Sequence, residues 1–439
     1  MTKNILIIGA GRSATYLIEY LLAQAATENW LVTLADADVN LAIQKLNGNI
    51  CGKAVFIDVE NESLRKQIIA ENDIVVSMLP AHMHTSVAQD CVELKKHLVT
   101  ASYVSPQMRE LNDAAIANGV ILLNEIGLDP GIDHMSAMRI IHNLQIEGAQ
   151  ITSFQSFCGG LVAPESVDNP WGYKFSWNPR NVVLAGQSTA QYLENGKLKF
   201  IPYKRLFATA QKIEIENVGA FDAYANRDSL SYQAQYGLQN TKTMLRGTLR
   251  QNPYCKAWNV FVQLGLCDDS FKINCNNLSY KNLVLGFLPN NNLSVNDMLK
   301  KYCEADEETL ALVTFTGILE DIQIPLQHAS PAEILQELLE RKWKLQPHDK
   351  DMIVMVHLFE FVKTGAVKKL KSVLVVKGEN SVHTAMAKTV GLPAAIAVKL
   401  ILQQKIKLHG VHIPIVPEIY NPILDELETF GITFQENEY

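Results

Sequence analysis

The chain opens on the apolar run Ile5-Leu6-Ile7-Ile8, which passes without a break into Gly9-Ala10-Gly11-Arg12-Ser13-Ala14. A buried strand feeding a G-x-G-x-x-A turn constrains the fold more than any other stretch of this sequence. Gly9 permits the tight turn, Gly11 lets a pyrophosphate approach the backbone, and Ala14 allows close helix-to-strand packing. The helix that follows, beginning at Thr15, aims its free N–H groups and positive dipole end at the phosphates. A glycine triplet alone also suits any tight strand-to-helix turn. Here a second apolar strand, Leu31-Val32-Thr33-Leu34-Ala35, ends on Asp36, roughly 20 residues beyond the motif, where a carboxylate can hold ribose hydroxyls. The pattern predicts a dinucleotide site.

The βα alternation continues, with strands expected at 4–8, 31–35, 54–57, 73–78, 97–101 and 120–123. Helical spacing appears near 39–46, 61–70, 83–95 and 106–118, the pattern of an α/β, doubly wound parallel sheet. Pro80 breaks the chain at a strand's C-terminal end, the edge on which open parallel sheets bind ligands. After Pro130-Gly131 the character changes. Residues 151–158, 181–185, 197–201 and 212–218 read as strands between Gly, Pro and Asn turns, which predicts a mixed domain with a largely antiparallel sheet. Helical patterns dominate 255–345, strand character returns at 352–361 and 370–376, and a helix over 383–402 is interrupted at Gly391-Leu392-Pro393.

At 439 residues the chain exceeds one ordinary core, so two or three domains are expected. The net charge of -7, from 39 basic and 46 acidic residues without a long run of either sign, argues against nucleic-acid or membrane-surface partners. Seven cysteines form no CxxC pair and no Cys/His cluster, the pattern of reduced thiols in a cytoplasmic protein without a metal site. The N-terminus reads as a strand rather than a signal peptide, and no apolar run reaches the length of a membrane span.

Four constellations carry candidate chemistry. Ala101-Ser102-Tyr103-Val104-Ser105 follows a strand at the ligand-binding edge, where Ser105 suits a helix cap before Pro106 and Tyr103 faces ligand. The loop from Asn124 to His134 is the densest polar segment, and its Asp129 is held in a Leu-Asp-Pro-Gly turn. Such a fixed carboxylate suits a substrate amine. Asp133 and His134 also read as the cap and first turn of a helix over 133–144. Phe157-Cys158-Gly159-Gly160-Leu161 and the segment from Asp168 to Trp177 form aromatic, glycine-rich loops that suit a small-molecule pocket or plain packing. Asn226-Arg227-Asp228 and Arg246-Gly247-Thr248-Leu249-Arg250 offer guanidinium groups for planar, two-pronged contacts with carboxylates.

Taken together, the glycine turn, 101–106, 124–134, 158–161 with Pro164-Glu165, 173–177 and 247–250 resemble the L-glutamate-forming saccharopine dehydrogenases, also called saccharopine reductases. The resemblance covers nearly the whole chain. It implies interconversion of saccharopine with L-glutamate and 2-aminoadipate 6-semialdehyde by nicotinamide-dependent hydride transfer at a C–N bond, within lysine metabolism. It also implies a variant Rossmann domain, 1–130 with 383–439, a substrate domain, 131–254 with 346–382, and a helical insertion, 255–345. By the same resemblance Ser102, Tyr103, Asp129, Arg227, Thr248, Leu249 and Arg250 bind substrate. Asp129, Tyr103 and Cys158 lie at the reacting centre. Gly9, Gly11, Arg12, Ser13, Ala14 and Asp36 meet the dinucleotide, joined by Asp58, Val59, Leu79, Ser102, Leu128, Asp129, Pro130 and Ser176. No metal is implied, and a homodimer is compatible.

The carboxylate in Ala35-Asp36-Ala37-Asp38 stands where a 2′-phosphate would sit, and like charges repel, so NAD is favoured while NADP stays open. Two rivals remain. A carboxynorspermidine-dehydrogenase-like imine reductase would need an acidic pocket for a polyamine, where this chain has Arg227 and Arg250. A dinucleotide-binding regulatory protein without catalysis would have no use for Tyr103, Asp129 and Arg250.

Overall fold

The computed structural model describes residues 2–185, 187 and 189–439. Its strands are β1 (Lys3–Ile8), β2 (Trp30–Asp36), β3 (Gly52–Phe56), β4 (Ile74–Ser77), β5 (His97–Thr100), β6 (Ile121–Leu123), β7 (Gln150–Val162), β8 (Ala190–Glu194) and β9 (Lys197–Ile201). There follow β10 (Gln211–Ile215), β11 (Gly219–Ala225), β12 (Thr243–Gln251), β13 (Ile273–Asn274), β14 (His328–Ala329), β15 (Asp351–Lys363), β16 (Ala366–Lys377), β17 (Gly410–His412) and β18 (Phe434–Glu438). The chain divides into two compact units, Met1–Ala149 with Leu374–Phe434, and Gln150–Val373 with Gln435–Tyr439.

The first unit is built on a parallel sheet in the order β17-β6-β5-β4-β1-β2-β3. Ile5 to Ile8 are fully buried, as a central parallel strand with both faces covered must be. Strand β1 lies between β4 and β2, so the connections leaving β1 and β4 diverge and open a crevice at their C-terminal ends. Strand β1 leads through a short 3₁₀ turn, Arg12–Ala14, into helix Thr15–Glu28.

Helix Ala385–Leu402 packs against that helix, and a Cβ added to Gly391 would lie 2.9 Å from Leu17 N. The side-chain-free face at Gly391 sets how closely the two helices approach. The interruption expected at Gly391-Leu392-Pro393 does not occur: the helix runs through Pro393. Proline removes one helical donor and crowds the preceding turn, but here residues 391–398 are all buried and the surrounding packing carries the helix through. With 18 residues and a mean hydropathy of 1.6, this helix does reach membrane-span length, contrary to expectation, yet 72% of it is buried within the protein.

Helix Ile132–Ile146 also belongs to the first unit rather than to the substrate domain. Arg139 donates to Asp425 at 2.8 Å and Glu428 at 3.2 Å, and His142 meets the Tyr420 hydroxyl at 2.7 Å.

The second unit holds a mixed sheet in the order β10-β11-β12-β7-β15-β16-β18, with β8 on β12 and β9 on β8. Strands β7 and β15 pair antiparallel over most of their length, whereas β12 joins β7 in parallel. The strand expected at 181–185 is instead part of a short helix, Pro179–Val183. Asn178 caps it by accepting from the N–H groups of Arg180 and Asn181, and this local start outweighs β-branched propensity at Val182 and Val183. The helices of 255–345 do not form a core of their own. Trp171 stacks on Phe261 at 5.7 Å and meets Trp343 edge-on at 5.2 Å, so one aromatic cluster joins them to the loop before β8. The C-terminal residues, expected in the first domain, end in the second sheet, where Tyr439 and Lys369 exchange backbone hydrogen bonds of 2.9 and 3.0 Å.

Candidate active site

The glycine turn has the geometry a pyrophosphate requires. Gly9 adopts φ +105°, and a Cβ there would lie 3.0 Å from Met78 O, so only glycine fits beside the β4 loop. At Gly11 an added Cβ would meet nothing within 4 Å. That open face is where backbone and phosphate can approach. Arg12 is exposed, Ser13 half-buried and Ala14 buried.

Asp36 is tied to the same turn. One carboxylate oxygen accepts from Ala10 N at 2.7 Å and the other from Asp38 N at 2.9 Å. Its charge is therefore shared with two backbone donors rather than projecting alone at the ribose position. Asp58 and Val59 follow β3, next to β2 at the same sheet edge, with Asp58 exposed and accepting from Glu60 N at 3.0 Å. Leu79 is half-buried in the loop after β4.

Beyond β5, Ser102 and Tyr103 are brought to the loop 124–131. The Tyr103 hydroxyl donates to Asp129 Oδ1 at 3.3 Å. Glu125 holds both flanks of this contact. Its N–H donates to Ser102 O at 3.0 Å and its Oε1 accepts from Val104 N at 3.0 Å. Its Oε2 lies 2.8 Å from His134 Nε2, and both side chains are buried. Leu128 and Pro130 are buried beside a half-buried Asp129. Gly131, at φ +144°, could carry no Cβ without striking Gly127 O at 2.0 Å. Asp133 accepts from Gly131 N at 2.6 Å, while Gly131 itself is the N-cap. The N-cap position is thus held by Gly131 and not by Asp129. Ser105 does cap, accepting from Met108 N at 3.0 Å.

One functional candidate escaped the sequence analysis. His84 begins the helix after β4, with Nδ1 2.8 Å from Ser77 Oγ and Nε2 2.7 Å from Ser102 Oγ. A lone histidine in an apolar helix pattern gives no signal of this; only the ends of β4 and β5 make it a bridge. Burial, with His82 nearby, pushes its pKa down to about 4.

In the second unit Cys158 on β7 and Thr248 on β12 are register partners of the parallel pair. Thr248 and Arg250 share one face of β12. The side chain of Leu249 points the other way into an apolar cluster with Phe157 and Val354, so Leu249 offers the Thr248 face only backbone. The Arg250 guanidinium lies 5.5 Å from the Tyr173 and Tyr254 rings and 6.0 Å from Tyr224. It is 3% exposed, donates from Nη1 to Leu249 O at 3.1 Å, and among the described residues leaves Nε without a partner. Arg227 sits in an exposed turn at φ +42°. Ser176 is buried, and among the described residues its hydroxyl has no partner. Next to it, Lys174 is clamped between Asp168 and Asp349, each at 2.7 Å, which anchors the aromatic loop.

Two family models divide the chain between them. The saccharopine dehydrogenase NADP binding domain matches residues 5–123, and the saccharopine dehydrogenase C-terminal domain matches 127–432. The chain belongs to the saccharopine dehydrogenase family. It is 34% identical to the saccharopine dehydrogenase [NADP(+), L-glutamate-forming] of Saccharomyces cerevisiae, across 99% of both chains. It is 36% identical to the mitochondrial alpha-aminoadipic semialdehyde synthase of Mus musculus, covering 98% of this chain and 47% of that one. The chain thus spans about half the length of such synthases, and 45% of the Arabidopsis thaliana one. The apo structure of the S. cerevisiae saccharopine dehydrogenase superposes with a TM-score of 0.89 at 33% identity over all of both chains. A homospermidine synthase from Legionella pneumophila shares the fold, with a TM-score of 0.57 at 11% identity.

Membership makes the protein an oxidoreductase with a dinucleotide-binding domain of the NADP-binding kind. The preference for NAD drawn from Asp36 finds no support in it. The carboxylate behind that expectation is the one engaged by the Ala10 and Asp38 N–H groups.

Proposed function

We propose that the protein interconverts saccharopine and water with L-glutamate and 2-aminoadipate 6-semialdehyde, using NADP(H). What carries this reading, beyond membership of the family, is the buried Arg250 guanidinium. Among the described residues no carboxylate pairs with it, and a buried charge without a partner is costly. A ligand carboxylate removes that cost, and saccharopine has three. In the forming direction the glutamate amine adds to the aldehyde, water leaves, and an imine results. A bound nicotinamide would supply hydride to the imine carbon, or in reverse accept it from the same carbon of the secondary amine.

The protein's own groups orient and stabilise. Arg250, flanked by tyrosine rings that limit water, holds one carboxylate with two-pronged geometry. Thr248 adds a hydroxyl on the same face. Asp129, kept in place by Tyr103 and its turn, sets a fixed negative charge against the cationic C–N centre. Ser102 presents its hydroxyl at the C-terminal edge of the parallel sheet, where it would meet a nicotinamide or the substrate amine. The open backbone at Gly11 and the helix start beyond it take the pyrophosphate. The exposed guanidinium of Arg12 offers the 2′-phosphate a counter-charge.

The deciding experiment is turnover of saccharopine with NADP⁺, followed at the nicotinamide absorbance, with carboxynorspermidine in parallel. Reduction of NADP⁺ only with saccharopine is expected; turnover of carboxynorspermidine instead overturns the assignment.

A further inference from the structure

We propose that His84 is a positioning residue that fixes the Ser102 hydroxyl as a hydrogen-bond acceptor for an N–H group of the ligand. The inference rests on the function proposed above, which places Ser102 at the ligand. The backbone of Ser102 is already locked. Its carbonyl accepts from Glu125 N at 3.0 Å and its N–H donates to Thr100 Oγ1 at 3.3 Å. Only the hydroxyl rotor remains to be set, and His84 Nε2 sits 2.7 Å from it.

A neutral imidazole carries one donor and one acceptor, so its two ends are coupled. The burial that pushes His84 down to about 4 keeps the ring neutral near pH 7. Thr100 Oγ1, which already accepts from Ser102 N, lies 3.4 Å from Nε2, so its own proton is free to turn toward that nitrogen. Two hydroxyls facing one ring nitrogen are best satisfied if Nε2 accepts and Nδ1–H donates to Ser77 Oγ, 2.8 Å away. Ser102 then spends its proton on the ring and turns its lone pairs outward. The ligand group that fits is an N–H donor: the carboxamide of a nicotinamide or the amine of the substrate.

A double-mutant cycle with His84→Phe and Ser102→Ala tests this, read as NADPH affinity by fluorescence titration and as saccharopine kcat/KM. If the carboxamide is the donor, affinity for NADPH falls by about tenfold in each single variant; if the amine is, saccharopine kcat/KM falls by about as much. In either case the double variant stays within about twofold of Ser102→Ala. His84→Gln, whose amide reaches the Nε2 position, should recover most of the loss, and His84→Asn, which stops at the Nδ1 position, should not. Losses that multiply in the double variant, or a Ser102→Ala variant unchanged in both readouts, overturn the proposal, as does a Gln variant no better than Asn. The NADPH arm needs no saccharopine turnover, so a failed substrate assignment is told apart from a failed bridge.

Discussion

Tyr103 reaches across 26 positions of sequence to donate its hydroxyl to Asp129 at 3.3 Å. The pair holds a carboxylate at the C-terminal edge of the parallel sheet, and Glu125 pins the backbone on both sides of Tyr103. A charge held this way stabilises a developing cation without reorganising during the reaction.

Asp129→Asn keeps the shape and the acceptor oxygen but removes the charge. We expect kcat to fall by about 100-fold. Because Asn keeps the size and an acceptor oxygen, and Gly131 rather than Asp129 holds the N-cap position, the melting temperature should move by less than about 2 °C. Steady-state kinetics and calorimetry on one preparation check both numbers. A stability loss without a rate loss would retire the electrostatic role.

Asp36→Ala should weaken binding of NADPH and NADH alike, by about tenfold, because it removes the acceptor that ties Ala10 to the end of β2. The unmodified protein should use NADPH better than NADH. Kinetics with both cofactors decide the point: better use of NADH, or an Asp36→Ala variant that gains NADPH affinity, would restore charge repulsion as the controlling effect.

Arg250→Ala should lower saccharopine kcat/KM by about tenfold or more while NADPH affinity stays within about twofold. Arg250→Lys should recover little of it, since an ammonium lacks the planar fork. Recovery of full activity by lysine would mean that charge alone, not two-pronged geometry, holds the substrate.

Lys174→Met should cost about 3 kcal/mol, because it strands the Asp349 carboxylate in the interior. Urea denaturation followed by tryptophan fluorescence reads it directly through Trp171 and Trp343 in the neighbouring core. An unchanged midpoint would show that the clamp contributes no stability.

Stability should also fall as pH drops from about 6.5 towards 4 through His84. Its folded pKa is lowered to about 4 by burial, so the unfolded chain takes up a proton that the folded protein refuses. The contribution is fully present above the unfolded value and is lost on the way down to the folded one, roughly 3 kcal/mol in all. His84→Phe should flatten that limb of a stability–pH curve; an identical limb would assign it to other groups.

Much of this was legible along the chain because the signals are local. Ile5 to Ala14 encode a strand, a turn and a helix start through residue size and shape. Six of the seven parallel strands of the first sheet are expected from short apolar runs, whereas β17, Gly410-Val411-His412, carries no such signal and joins the sheet only through its pairing with β6. The Asp129 turn and the arginines of β12 are likewise visible as residue types in fixed spacing. Tertiary structure decided what depends on partners distant in sequence. Val182 and Val183 are apolar enough for a strand, but Asn178 and Pro179 start a helix there. Pro393 reads as a break until close packing at Gly391 and burial on all sides carry the helix through it. Asp36 reads as a charge facing ribose until the fold brings Ala10 and Asp38 N–H groups to its two oxygens. His84 acquires meaning only when β4 and β5 lie side by side, because a hydrogen bond depends on distances of a few ångströms that sequence spacing does not encode.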